Sequence, residues 1–184
     1  MIYTFGGIIK ESVPVLILSA LIAIGAGLVL SSSEHLISAI PGIIIMIPAF
    51  INMNGSLMSV LASRLSSALH MGLIHPKLHR TKTLDRNIIS VVIISLVSFL
   101  FLGFTGGFLM MLLGLGTINL FFMGIMILVA GMITTTILIF FTVIMSYYLF
   151  KKGDDPDNWV IPILTSGSDF IGIILLLLFV GFAI

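Results

Sequence analysis

NIISVVIISLVSFLFLGFTGGFLMMLLGLGTINLFFMGIMILVAGMITTTILIFFTVIMSYYLF, residues 87–150, runs between Arg86 and Lys151 without one charged side chain. A helix rises about 1.5 Å per residue and the hydrocarbon core is about 30 Å thick, so one crossing takes about 20 apolar residues. The stretch is too long for one crossing, and the turn signal Gly114-Leu115-Gly116-Thr117-Ile118-Asn119 splits it into two. Both ends are basic, and two crossings return them to the same side.

Upstream, an apolar run from Val13 to Leu30 gives a first span, with Pro14 near its start, where a missing amide costs little. It is longer than the roughly 7–15 apolar residues of a cleaved signal, so a retained helix is expected. Leu36 to Ser63 carries no charge and gives a second span. Pro48 lies inside it, followed by Asn52, Asn54, Gly55 and Ser56, which predicts a kinked or broken helix. The last apolar stretch, from about Trp159 to Ile184, is interrupted only by Asp169. The expectation is an all-α integral membrane protein forming one domain over 1–184. Its five spans fall near 13–31, 36–70, 88–114, 118–149 and 158–184, and residues 1–12 could form a short helix along the membrane surface.

Composition agrees. Hydrophobic residues make up 59% of the chain and charged ones 8%, against roughly 25% charged in a soluble domain. Eight Lys and Arg with seven Asp and Glu cannot cover a water-facing surface of this size, so lipid must be the solvent. The net charge of +1 gives no basic cluster for nucleic acid. With no cysteine, the chain has no disulfide framework and no thiol nucleophile or ligand. The apolar spans leave no length for a soluble sensor or nucleotide-binding domain, and no enzymatic activity is expected. The expected location is the plasma membrane, as a multi-pass protein.

Orientation follows from the basic residues. An inward N-terminus puts Lys10, the segment with Lys77, Arg80, Lys82 and Arg86, and the loop with Lys151 and Lys152 on the inner side. The outer connections around Ser31 to His35 and Gly114 to Asn119 carry no lysine or arginine. Arg64 falls toward the inner end of the second span, where it can snorkel. Five crossings cannot contain their own inverted repeat, and no internal duplication is visible. A symmetric homodimer is the natural way to build a central path.

Asp169 is the one acid inside a span, about 15 Å of helix rise past Trp159 and so near the midplane. An ionised Asp at that depth costs about 2.5–3.5 kcal/mol on insertion scales. It is tolerated if a cation compensates it, or if it stays protonated on a hydrogen-bond partner such as Thr165, one turn earlier. Two such carboxylates facing a dimer axis would repel unless a divalent ion sat between them. Without cysteine or a midplane histidine, hard oxygen ligands favour magnesium, then manganese, calcium or cobalt, over zinc or copper.

Asn52, Asn54, Gly55, Ser56, Ser59 and Ser63 form a second constellation, readable as the lining of an ion pathway or as small residues for close helix packing. Gly103 and Gly107 form a GxxxG pattern, and Thr134-Thr135-Thr136 a polar run, both read as packing or local hydrogen bonding. The methionines read as apolar filler. His70, His75 and His79, near Lys77 and Arg80, read as interfacial residues beside acidic lipid rather than a metal site. Asp154, Asp155 and Asp157 open the last helix. Capping there falls to Asp157 or Asn158, and the cluster would also attract cations to an inner mouth.

These residues resemble a known family. Asp155-Pro156-Asp157-Asn158, then Pro162, then Thr165-Ser166-Gly167-Ser168-Asp169 is similar to the loop and fifth helix of MgtE magnesium transporters, most closely to their archaeal and eukaryotic solute-carrier relatives. Pro48, Gly55 and Leu61-Ala62-Ser63-Arg64-Leu65-Ser66 resemble that group's second helix. The resemblance implies a five-helix domain that pairs around a magnesium path. It implies Asp169 as the pore ligand, a backbone oxygen at Thr165 beside it, and Gly55, Ser59 and Ser168 along the path. The family's Gly-Asn pair reads Gly55-Ser56 here, and no magnesium-sensing domain precedes the first helix. Magnesium transport by a homodimer is therefore the expected function. The alternatives are a proton- or sodium-coupled transporter of another solute and a non-transporting assembly subunit.

Overall fold

The computed structural model describes residues 5–40, 42–75, 79–115 and 119–183. Lys77 and the turn residues Gly116, Thr117 and Ile118 lie outside the described residues, as do 1–4 and Ile184. The described chain is helical throughout: α1 (Phe5–Ser32), α2 (Glu34–Ala39), α3 (Ile43–His70), α4 (Lys82–Leu112), α5 (Leu120–Lys152) and α6 (Pro156–Ala183). All but α2 are long and apolar enough to cross a membrane. The short α2 lies in the connection between α1 and α3, and the helix of α3 continues through Pro48. Residues 5–12, a candidate surface helix, extend α1 without a break.

Local chemistry sets the ends. Thr81 caps α4 by accepting from the Leu84 amide at 3.2 Å, and Asn119 caps α5 by accepting from Phe121 at 2.9 Å. α5 ends at Gly153, whose φ of 86° is a left-handed conformation that favours glycine, with Lys151 and Lys152 in the last turn facing the negative dipole end. Asp155 Oδ1 accepts from the Asp157 amide at 3.1 Å, just before Pro156 opens α6. The cap of the last helix therefore falls on Asp155 rather than on Asp157 or Asn158.

α6 is the central helix, touching α1, α3 and α5, while α4 lies outside on α5 and α3. Helix directions follow from the contacts. Gly55 lies against Thr165 and Ser168, and Phe50 against Gly172, so α3 and α6 are antiparallel. Met58 meets Thr142 and His70 meets Phe150, so α3 and α5 are parallel. The α4–α5 hairpin closes through glycine: a Cβ on Gly103 would stand 2.9 Å from Gly124 Cα, and one on Gly131 would meet the Phe99 ring at 2.5 Å. Phe99 in turn packs on Phe50, ring centroids 5.5 Å apart. The GxxxG glycines thus serve packing, with Gly107 against Leu120.

Candidate cation site

Of the residues singled out in the sequence, the α3–α6 seam brings together Gly55, Thr165 and Ser168, with Asn54 beside Gly172. A Cβ at Gly55 would lie 3.3 Å from Ser168 Oγ and 3.7 Å from Thr165 Cγ2, so the absence of a side chain there lets the helices approach. Ser168 is fully buried and its hydroxyl donates to the Thr165 carbonyl at 2.6 Å. The Thr165 hydroxyl lies 3.0 Å from the Ile161 carbonyl and 2.9 Å from that of Pro162. Its proton is engaged within its own helix, and the Ser168 hydroxyl stands within hydrogen-bonding reach of the Asp169 carboxylate. The Thr165 carbonyl accepts from Ser168 as well as the helical bond from the Asp169 amide, so both its lone pairs are engaged.

Asp169 itself is half-buried. Successive helical residues turn by about 100°. Ser168 faces Gly55 on α3, and Phe170 lies 3.4 Å from a Cβ position on Gly25 of α1. Asp169, between them in sequence, points into the cleft between α3 and α1. Thr165 and Asp169, four apart, share one face. Among the described residues the one ion pair is Arg80 with Asp85, far along the chain at the start of α4. Among the described residues no basic side chain pairs with Asp169.

On α3 the constellation divides into two faces. Asn54 and Gly55 are buried inside the bundle. The Asn54 amide donates to the Phe50 carbonyl at 3.0 Å, and its Oδ1 is buried without a partner. Asn52 and Ser56 are exposed on the other face, with Ser59 half-buried beside them, its hydroxyl donating to the Gly55 carbonyl at 2.9 Å. Ser63 and Ser67 extend this exposed polar stripe toward the C-terminal end of α3. Ser67 was not singled out in the sequence, although its spacing of four from Ser63 was the signal that could have found it.

At the start of α6 Asp157 lies beside Ser66 and His70 of α3, with its Oδ1 buried and unpartnered. His70 Nδ1 is 2.9 Å from the Ser66 carbonyl, and its ring meets Phe150 edge-on at 5.1 Å. This junction ties α3, α5 and α6 together. Asp154 and Asp155 are partly exposed, Asp155 being engaged in the cap, and His75 and His79 are exposed. Among the described residues no three of His, Asp and Glu gather as a ready metal cage. An ion at Asp169 must therefore draw its remaining ligands from water, carbonyls, hydroxyls or another subunit.

The MgtE family, described as a divalent cation transporter, matches residues 47–179. That segment contains both the polar face of α3 and Asp169. No curated protein matches the chain. With more than half its length matched and five membrane-crossing helices, the chain is a multi-pass integral membrane protein that belongs to the MgtE family of divalent cation transporters.

Proposed function

We propose that the chain moves magnesium across the plasma membrane as a homodimer, with Asp169 of each subunit holding a partly hydrated ion near mid-membrane. The observation that carries this reading is the one carboxylate in the middle of the central helix, set between α1 and α3 with no basic neighbour among the described residues. Its insertion cost of about 2.5–3.5 kcal/mol is offset when a cation occupies the cleft. Magnesium holds its water strongly and prefers octahedral oxygen at about 2.0–2.1 Å, so hydroxyls and carbonyls suit its hydrated form.

The exposed face of α3 supports a second copy. Asn52, Ser56, Ser63 and Ser67 would gain nothing from lipid. A symmetric interface presents the same stripe from both subunits and lets small side chains bring the helices close. Two Asp169 carboxylates sharing an axis then favour one divalent ion over two monovalent ones. With the N-terminus inside, Asp154, Asp155 and Asp157 lie at the inner mouth and raise the local cation concentration there.

The test is magnesium influx into liposomes holding only the purified chain. A magnesium gradient alone should drive it, with manganese, cobalt and calcium as competitors. Influx that required an imposed proton or sodium gradient would support the coupled alternative, and none at all would support a role as an assembly subunit.

A further inference from the structure

Resting on that reading, we infer that Ser19 of α1 is a hydroxyl ligand in the outer hydration shell of the ion held at Asp169. Packing of α1 on this chain is chiefly on α6, through a buried stripe of Val15, Ser19 and Ala26. Ser19 is the polar member. It is 7% exposed, and its hydroxyl is buried without a hydrogen-bond partner, not even the carbonyl one turn back that serines in helices commonly use. A buried hydroxyl left unpaired costs about 1–3 kcal/mol, a cost that bound water or a ligand removes.

Two placements direct this hydroxyl to the ion cleft. The first is around the helix. Ser19 and Gly25 are about 120° apart on α1. Gly25 meets Phe170 on the far side of α6. Since α1 and α6 run in the same direction, this leaves the Ser19 flank on the side of α6 that carries Asp169. The second is depth. Six residues before Gly25, Ser19 lies roughly 9 Å further inward, level with the turn of α6 just before Thr165 and Ser166. Side chains tilt toward the helix N-terminus, so the Asp169 carboxylate hangs inward toward the same level. A hydrated divalent ion on that carboxylate reaches Ser19 through one of its waters.

The chain contains no cysteine, so Ser19→Cys introduces its sole thiol. In the full chain in liposomes, a water-soluble methanethiosulfonate reagent should modify that thiol. Millimolar magnesium should slow the modification several-fold, and Asp169→Asn should abolish the protection. In parallel, Ser19→Ala should raise the KM for magnesium about two- to tenfold, the loss of one hydrogen bond, with kcat little changed and Ser19→Thr near the parent. A thiol that is unreactive, or that reacts at the same rate with and without magnesium, overturns the inference if Asp169→Asn still loses uptake. So does a Ser19→Ala KM equal to that of the parent. Undiminished uptake by Asp169→Asn would remove the ion site itself, and the inference with it.

Discussion

Glycines that look alike in the sequence differ sharply in what surrounds them. A Cβ on Gly103 would stand 2.9 Å from both the Cα and the carbonyl oxygen of Gly124, and backbone cannot give way as a side chain tip can. Gly27 has nothing within 4 Å of such a position and is exposed. Gly103→Ala should therefore spread α4 from α5 and cost about 1–3 kcal/mol. Gly27→Ala should be neutral or stabilising by up to about 1 kcal/mol through helix propensity. Thermal unfolding of the two variants in detergent checks this, and equal melting temperatures would contradict it. Asp169 was legible at this scale, because one acid in a long apolar span stands out in any sequence. Ser19 was not, since a serine among apolar residues carries no sign of whether its hydroxyl finds a partner.

The five long helices were readable from charge-free length alone, and the break between α4 and α5 from its glycines and asparagine. Two things were hidden at the scale of the element. The six residues of α2 are too few to give a periodic signal. The division of α3 into a buried face with Asn54 and Gly55 and an exposed one with Asn52, Ser56, Ser63 and Ser67 depends on where α6 lies. Small and polar residues suit close packing and a water-lined path equally, so the sequence left both readings open. If the exposed face meets a second subunit, a single cysteine at Ser56 should cross-link two chains rapidly under mild oxidation. A single cysteine at Ile93, exposed on α4, should not. Gel mobility after oxidation reads the outcome, and equal cross-linking of both, or of neither, would contradict the proposed interface.

At the scale of the whole molecule, the central place of α6 gives the chain its logic. Helices α1, α3 and α5 surround the one that carries Asp169, and α4 stays outside, braced by Phe99 between Phe50 and Gly131. The α4–α5 hairpin and the central helix fix where that carboxylate sits in the bundle, and one face of α3 stays exposed. The other acids of the long helices, Glu11, Asp85 and Asp157, lie in their first two turns, so the account rests on Asp169 being a cation ligand rather than a protonated packing residue. The direct measurement is magnesium influx into liposomes holding Asp169→Asn, with gel filtration confirming its fold and assembly. Influx should fall to the level of protein-free liposomes while the elution profile matches the parent. An Asp169→Asn variant that carries magnesium at the parent rate would contradict the account.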